Sequence, residues 1–211
     1  MTKRNTKELI LSTSLALFNE LGEPNVTTNH IADEADISPG NLYYHYRSKD
    51  DIVIELFKRF LTQFQPITDV PEDLALEAED LWFQLHLSFE LKGQFRFLYR
   101  NLSDLTARIP DLDKAMRGLL LRERRAATSL LDGLQRNGAL EISPQEKIML
   151  VDNFLLAVTY WIPYADIFDP HGMEQGSAQI EAIARVLQML TPHLKDPART
   201  QFTTLTHRYL T

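Results

Sequence analysis

The sequence predicts an all-α protein, and three observations support that fold class. Apolar residues recur at helical spacing along almost the whole chain of 211 residues. No segment shows sustained period-two alternation or a hairpin turn, which are the patterns typical of strands. Proline and glycine residues mostly fall between the helical segments, where they mark helix ends. We therefore expect helices joined by short connections.

The first helices have recognisable boundaries. The first carries an apolar stripe from Ile10 to Leu21 and stops at Gly22. A short helix starts near Thr27, whose side chain or that of Thr28 can cap it, and runs to Ala35. The third opens at Ser38-Pro39, with the serine as the N-cap and proline at the first helical position. Ser48 and Asp51 predict a capping box before a longer helix that ends near Pro66.

The rest of the chain is divided by its prolines and glycines. Five further helical segments are expected near 72–91, 94–107, 111–136, 144–167 and 173–191, followed by a short tail. Pro163 should bend or end the fourth of these segments, because it has no N–H to donate.

Composition narrows the function classes. The chain has no cysteine, which excludes disulfide scaffolds, zinc ribbons and cysteine nucleophiles. Its net charge of −7 argues against binding nucleic acid through overall positive potential, so any DNA contact must be local. Residues 37–49 allow such a contact because they contain Arg47 and Lys49 and no acid, and Lys3, Arg4 and Lys7 lie at the N-terminus.

Charge placement also predicts a location. The longest stretch without a charged residue, 153–165, is shorter than the ~20 apolar residues that span a bilayer, so no membrane helix is expected. The basic start followed by residues 9–18 superficially resembles a signal peptide. Glu8 interrupts that pattern, however, and no small-residue cleavage site precedes Glu20. We expect a helix of a cytoplasmic protein.

The second and third helices form the pattern of a helix-turn-helix. They are separated by Asp36-Ile37, and small Ala32 and Ala35 would let them cross closely. The second helix of such a motif lies in the major groove and presents its N-terminal residues to base edges. The residues in that position are Pro39, Gly40, Asn41, Tyr43, Tyr44 and His45.

Residues 26–50 resemble the N-terminal signature of the tetracycline-repressor (TetR) family, and the resemblance extends back through Ile10, Leu17-Phe18 and Gly22. It covers about the first 55 residues. Asp36 departs from the family pattern, which usually has glycine in the tight turn. Aspartate tolerates the left-handed conformation better than most residues, at some strain.

The resemblance implies a set of DNA-binding residues. Phosphate contacts are expected from Thr28, Tyr43 and Lys49, and base readout from Asn41 and Tyr44. Tyr43 could instead be mainly structural, and His45 could be a phosphate contact or solvated surface, whereas Tyr46 is expected in the core. The complete predicted set is Thr27, Thr28, Asn29, Ser38, Gly40, Asn41, Tyr43, Tyr44, His45 and Lys49.

The resemblance also implies a homodimer, because family members pair through their last two long helices. These map onto 144–167 and 173–191. A stripe at helical spacing in the first of them supports this independently, since it offers more apolar surface than one small domain easily hides. The predicted interface residues are Ile148, Val151, Leu155, Val158 and Ile162. The predicted domains are a DNA-binding domain at 1–47 and a regulatory, effector-binding and dimerisation domain at 48–211.

Family members further enclose an effector cavity in the body of the chain. Residues 95–102, 153–155 and 159–161 resemble, less specifically, a widespread subset of the regulatory domains. A small, largely apolar effector is expected if aromatic residues line the cavity, although each taken alone is more often ordinary core. The predicted pocket residues are Phe60, Phe64, Trp82, His86, Phe89, Tyr99, Arg124 and Trp161.

Two charged patterns in the body of the chain could form a metal or an anion site. His86 and Glu90 could place two metal ligands on one helix face, but there is no third ligand, so no metal and no cofactor are predicted. Arg122, Arg124 and Arg125 could anchor an anion, yet charge runs are usually solvated faces.

The sequence thus predicts a ligand-responsive repressor that acts as a homodimer on a palindromic double-stranded DNA operator. The alternative is an activator, or a regulator without an effector, of the same fold. A helical enzyme or a pure interaction protein would need a catalytic constellation, and no G-x-S-x-G, H-E-x-x-H, P-loop or dinucleotide motif occurs. We therefore expect no enzyme activity and no membrane partner.

Overall fold

A computed structural model of the protein describes residues 6–71, 77–169, 171–172 and 176–210. These residues form helices without a strand, and the nearest approach to one is an isolated antiparallel bridge between Leu140 and Leu194. The all-α prediction is therefore confirmed. The helices are α1 Thr6–Leu21, α2 Thr28–Glu34, α3 Pro39–His45, α4 Lys49–Thr68, α5 Ala78–Gln94, α6 Arg96–Arg100, α7 Leu102–Arg108, α8 Pro110–Arg136, α9 Pro144–Phe168, α10 Ser177–Leu190 and α11 Ala198–Leu210.

The predicted caps of the first four helices are confirmed. Gly22 ends α1 at a φ of 81°. Thr27 accepts a hydrogen bond from the His30 N–H, and Ser38 accepts one from the Asn41 N–H. At the start of α4, the Asp51 N–H donates to Ser48 Oγ while the Ser48 N–H donates to Asp51 Oδ2, each at 3.1 Å. These caps satisfy donors that a helix leaves unpaired.

Three boundaries differ from the sequence prediction. α9 continues through Pro163 to Phe168, so this proline does not end the helix. The expected segment 94–107 is two helices, because Asn101 leaves helical geometry between α6 and α7 with φ −114° and ψ 21°. The short tail contains the 13-residue helix α11, whose weak apolar periodicity gave no clear signal. Parts of the segments expected near 72–91 and 173–191, at 72–76 and 173–175, lie outside the described residues.

Among the described residues, one compact unit comprises 6–62 together with Gln94–Met116. In it α1 packs against α2 and α6, and α2 packs against α3. Its interior is aromatic: the Phe18 and Phe97 ring centroids lie 5.2 Å apart, and those of Phe60 and Phe95 lie 5.4 Å apart. Burial of each such ring contributes about 2–3 kcal/mol.

The second compact unit comprises Gln63–Gly93 and Arg117–Thr211. α10 packs against both α9 and α11, and it is buried along most of its length through Ile183, Leu187 and Leu190. The Trp161 indole N–H on α9 donates to the Ala178 carbonyl of α10 at 2.7 Å. These two units do not coincide with the predicted division after residue 47, which stays a prediction.

Among the described residues, α9 alone is long and apolar enough to cross a bilayer, judged by length and composition. Core helices of soluble proteins meet the same criterion, so this is weak evidence for a membrane span.

Candidate nucleic-acid interface and effector cavity

The turn between α2 and α3 has the geometry that the sequence predicts. Asp36 lies at φ 52°, the one left-handed non-glycine residue in the described part of the chain. The Ile37 N–H donates to the Ala32 carbonyl at 3.0 Å, and the Asp36 N–H donates to Asp33 at 3.1 Å. This is the pattern of a Schellman motif, which closes the end of α2 and redirects the chain into α3.

The recognition helix α3 divides its side chains between core and solvent. Leu42 is buried within α3, and Tyr46, the residue after it, is also buried. Tyr44, in contrast, is 84% exposed and Asn41 is exposed beside it. Such exposure of a large aromatic side chain on a short helix leaves its ring and hydroxyl available to a partner.

Gly40 adds to that exposed surface. A Cβ built at Gly40 meets no atom within 4 Å, so the fold itself does not require a glycine there. The position is exposed at the N-terminal end of α3, where lack of a side chain would allow close approach of another molecule.

The structure brings together two of the predicted phosphate-binding residues. The Thr28 Oγ1 and Tyr43 Oη lie 2.8 Å apart, within hydrogen-bonding distance, although the two residues are 15 positions apart in sequence. Tyr43 remains 48% exposed. The contact ties the first turn of α2 to α3 and holds the Tyr43 hydroxyl at the surface. Tyr43 therefore has a structural contact and an accessible hydroxyl at once.

The remaining predicted DNA-binding residues are distributed around this pair. Thr27 and Ser38 are exposed and serve as caps, and Asn29 is exposed on α2. His45 is half-buried, with its ring 5.1 Å from that of Tyr44 in an edge-on arrangement.

Lys49 lies at this surface but its ammonium is directed inward. Its Nζ donates to the carbonyls of Glu23 and Val26, at 2.8 and 2.9 Å, and lies 3.0 Å from Glu23 Oε1. Three acceptors therefore surround the three donors of the ammonium. Lys49 thus braces the turn at residues 23–26, and the phosphate contact expected of it from the sequence stays a prediction.

Glu23 is the centre of a charged network that the sequence analysis missed. Its side chain is 1% exposed, and its Oε1 also accepts from Arg108 Nη2 at 2.9 Å. Arg108 pairs with Asp50 as well, at the start of α4. Burial alone would lower the pKa of the Arg108 guanidinium, but the carboxylates of Glu23, Asp50 and Asp104 raise it above its ordinary value. Arg108 therefore stays charged and holds these elements together.

Asn19 is a second residue that spacing could not reveal. Its Nδ2 donates to the Gln94 carbonyl at 2.8 Å, and its Oδ1 accepts from the Phe97 N–H at 3.1 Å. Its own carbonyl accepts from Arg100 Nη1 at 2.6 Å. This buried amide joins α1 to the segment around α6.

The second unit contains a predominantly apolar cavity of about 70 Å³, room for about two waters at roughly 30 Å³ each. Residues of α4, α5, α8 and α9 form its walls. Small side chains at Ser88, Ala126 and Ala127 leave the space that larger residues would fill. The lining consists of Phe64, Ile67, Thr68, Leu81, Gln84, Leu85, Ser88, Glu123, Ala126, Ala127, Leu130, Leu131, Phe154, Leu155 and Val158.

Of the eight predicted pocket residues, Phe64 lines this cavity. Phe60 and Tyr99 are instead packed into the core of the first unit, with ring centroids 6.1 Å apart. Arg124 forms a surface ion pair with Asp152, so it does not point an unpaired charge inward.

The other predicted pocket residues also make contacts outside the cavity lining. Trp82 and His86 stack on one another along α5, with ring centroids 5.3 Å apart, while Phe89 is fully buried. Trp161 packs between α9 and α10, lies under the guanidinium of Arg185 and lines a separate hollow of about 370 Å³ with Tyr164 and Phe168.

α9 presents a different face from the one the sequence predicted. Ile148 is exposed, but Val151, Val158 and Ile162 are buried within the single chain, and Leu155 is half-buried against the cavity. They face inward because they fill the interior of the second unit. The adjacent face carries an exposed apolar stripe, here called the outer α9 face. Its residues are Met149, Leu156, Tyr160, Tyr164, Ile167 and Phe168.

Two family models match the chain. Residues 10–56 match "Bacterial regulatory proteins, tetR family", and residues 59–202 match "Bacterial transcriptional repressor" of the TetR type.

Individual proteins are similar over different lengths. The HTH-type transcriptional repressor KstR2 of Mycobacterium tuberculosis is 37% identical over 82 residues, covering 38% of this chain and 41% of that protein. The HTH-type transcriptional regulator SAB2452 of Staphylococcus aureus is 40% identical over 57 residues, covering 25% of this chain and 31% of that protein. The chain thus spans less than half the length of these two relatives.

Solved structures match the whole fold. A TetR-family transcriptional regulator from Marinobacter aquaeolei VT8 has a TM-score of 0.88 and 32% identity, covering 97% of this chain and 98% of that one. CprB from S. coelicolor A3(2) has a TM-score of 0.64, with 98% of each chain covered, and its 18% identity shows the fold alone. With both family models and a full-length relative in agreement, the chain belongs to the TetR family of bacterial transcriptional regulators.

Proposed function

We propose that the protein is a ligand-responsive transcriptional repressor that binds a palindromic operator as a homodimer in the cytoplasm. The observation that carries the DNA-binding part is the exposed face of α3, where Asn41 and Tyr44 stand free beside the Thr28–Tyr43 contact. KstR2, which matches part of this chain, is named a transcriptional repressor, and this supports repression over activation of transcription. An activator of the same fold remains the second candidate.

We assign a role to each DNA-binding residue from the exposure and hydrogen-bonding capacity of its side chain. Asn41 and Tyr44 read base edges, since they are exposed at the end of α3 that enters a major groove. The hydroxyl that accepts within the Thr28–Tyr43 contact donates its own hydrogen to a phosphate, and the open space at Gly40 lets the DNA backbone approach. Lys49 acts through the turn that it braces. Thr27, Asn29, Ser38 and His45 complete the surface.

A second copy of the chain covers the outer α9 face in this proposal. Six large apolar or aromatic side chains lie exposed on one face of a single helix, more than a monomeric surface ordinarily leaves in water. A two-fold dimer would set the two recognition helices about one DNA turn apart, roughly 34 Å, and so require a palindrome.

The cavity supplies the site at which a ligand regulates DNA binding. α4 is one continuous helix that begins at Lys49, beside the recognition helix in sequence, and contributes Phe64 and Thr68 to the cavity wall. A ligand that binds better to one arrangement of α4 than to another shifts the population of DNA-competent dimers. Only that difference in affinity can release the operator.

The DNA-binding assignment is tested by selecting binding sites from a random duplex pool and measuring affinity by fluorescence anisotropy. We expect an enriched palindrome. Asn41→Ala and Tyr44→Ala should each weaken binding by about 1–3 kcal/mol and relax the sequence preference at one position in each half-site. Gln63→Ala, which removes an exposed amide on α4, is the matched control. Selection that enriches no sequence, or equal losses in all three variants, would contradict the assignment.

A further inference from the structure

The walls of the cavity are almost entirely hydrocarbon, with one ionised group among them. Phe64, Leu85, Leu130 and Phe154 are typical of the lining. Glu123 is the charged residue of that lining, and its side chain is 8% exposed. A carboxylate in such surroundings loses the hydration that water would give it, so its oxygens need partners.

One oxygen of Glu123 has its partner. Lys92, whose side chain is fully buried, places its Nζ 2.5 Å from Glu123 Oε1. The same Nζ donates to the Val158 carbonyl at 3.2 Å and lies 5.4 Å from the centre of the Phe64 ring. The two charges therefore compensate one another, and Lys92 is held in place by groups from α4, α8 and α9.

The second oxygen is in a different state. Glu123 Oε2 is shielded from solvent and accepts no hydrogen bond from any described residue. A buried acceptor without a donor costs about 1–3 kcal/mol, and more when it is charged. Because Glu123 lines the cavity, a small rotation of its carboxylate would turn this oxygen toward a molecule bound there.

We propose that the effector is an uncharged, mostly apolar molecule whose hydroxyl group donates a hydrogen bond to Glu123 Oε2. This inference rests on the cavity being the regulatory site of the proposed function. The charge balance selects the head group. An anionic head would meet the Glu123 carboxylate, and an ammonium head would add an uncompensated charge beside Lys92. A neutral hydroxyl satisfies the acceptor and leaves the ion pair intact.

Binding of matched probes to the full-length protein, measured by isothermal titration calorimetry, tests the head group directly. The probes are the short primary alcohols propanol and butanol, whose size suits a cavity of about 70 Å³, with methyl ketones, carboxylic acids and primary amines of matching size. We expect the alcohols to bind at least about tenfold more tightly than every other series, because hydrogen bonds to charged groups are strong. Equal affinity for alcohols and ketones, or tighter binding of acids or amines, would overturn the proposal.

Glu123→Gln tests the residue. A glutamine can keep an oxygen toward Lys92 and present an NH₂ at the other position, which replaces an acceptor by a donor. The preference should then shift by about tenfold or more from alcohols toward ketones, a change that loss of packing alone does not produce. Glu90→Gln, an exposed carboxylate on α5, should leave the preference unchanged. An unaltered preference in folded Glu123→Gln would overturn the proposal.

A cavity-filling variant keeps the test decisive if Glu123→Gln does not fold. Ala127→Phe should abolish alcohol binding, since Ala127 lines the cavity. Alcohol binding that survives in folded Ala127→Phe places the ligand elsewhere and refutes the proposal. Operator affinity is measured in parallel, so that the head-group inference and regulation through the cavity can be refuted independently. Alcohols that bind as expected without changing operator affinity would refute regulation through the cavity, while the head-group inference would stand.

Discussion

The two compact units each bury a carboxylate that holds a cation, yet they use it differently. In the first unit, Glu23 joins Lys49 and Arg108 and lines no described cavity. In the second, Glu123 holds Lys92 and lines a cavity. Each carboxylate has one oxygen without a described hydrogen-bond partner, so burial alone does not distinguish them. The cavity beside Glu123 distinguishes the two carboxylates. A carboxylate in an ion-pair network without a cavity stabilises the fold, whereas a carboxylate at a cavity can also recognise a ligand.

The units also differ at their surfaces. The first exposes polar and aromatic side chains on α3 that suit transient contact with DNA. The second exposes the outer α9 face, which is apolar along several turns. We infer that the second unit meets its partner permanently and the first only part of the time.

The largest effect is expected from charging the outer α9 face. Leu156→Arg should dissociate the dimer and lower operator affinity by about a hundredfold or more, because one copy contacts a single half-site. Sedimentation equilibrium and anisotropy measure the two effects. Leu121→Arg is the matched control, since Leu121 on α8 is 60% exposed against 62% for Leu156. A dimer that persists in Leu156→Arg would remove α9 from the interface.

The next largest effect is expected from disrupting the ion-pair network of Glu23, Lys49 and Arg108. Glu23→Ala leaves Lys49 and Arg108 without their shared carboxylate and should lower the free energy of unfolding by about 2–4 kcal/mol, measured by urea denaturation. Glu20→Ala, an exposed acid on α1, should change it by less than about 0.5 kcal/mol. Similar values for the two variants would mean that the network does not stabilise the first unit.

Local features of this first unit were predictable from sequence, and long-range ones were not. Gly22, the Thr27 and Ser38 caps and the left-handed Asp36 each depend on a few neighbouring residues, so short patterns contain the information. Glu23 and Arg108 are 85 positions apart, and no spacing rule pairs them.

In the second unit, apolar periodicity predicted helix α9 but did not show which of its apolar faces packs inside the chain and which stays exposed. α9 is apolar on two faces, and of the stripe predicted from sequence the chain itself buries Val151, Val158 and Ile162 but leaves Ile148 exposed. The sequence predicted a cavity lined by aromatic residues, yet Phe60 and Tyr99 pack against each other in the core of the first unit. The cavity of about 70 Å³ lies beside small residues such as Ser88 and Ala127, whose spacing in the sequence gives no sign of empty space.

A high-pH test concerns Tyr46, which follows the recognition helix. Burial, and then the nearby charge of Glu55, raise the pKa of its hydroxyl from 10.0 to about 12. Because the folded state holds the proton more tightly than the unfolded chain, stability is retained below pH 10 and is lost as the pH rises toward 12.

Tyr46→Phe should remove about 1 kcal/mol of this alkaline loss and leave stability at pH 7 equal or slightly higher, since the buried hydroxyl has no described hydrogen-bond partner. Urea unfolding from pH 8 to 12 measures it. The same decline in both proteins would show that Tyr46 ionises as it does in the unfolded chain.

The smallest effect is expected at the turn of the helix-turn-helix. Asp36→Gly relieves a left-handed aspartate at φ 52° and should stabilise the protein by about 0.5 kcal/mol, after the entropy cost of glycine is subtracted. Thermal denaturation should show a rise of about 1–2 °C. A fall in the melting temperature would mean that the Asp36 side chain contributes more than its strained backbone costs.

In the proposed mechanism, a ligand in the cavity of the second unit controls DNA binding by the first. The most direct measurement is operator affinity with and without a saturating alcohol, compared between the parent protein and Ala127→Phe. We predict that the alcohol weakens parent binding at least about tenfold, whereas the filled variant binds operator with the same affinity in both conditions. An alcohol that occupies the parent cavity and leaves operator affinity unchanged, or a filled variant that responds like the parent, would contradict the account.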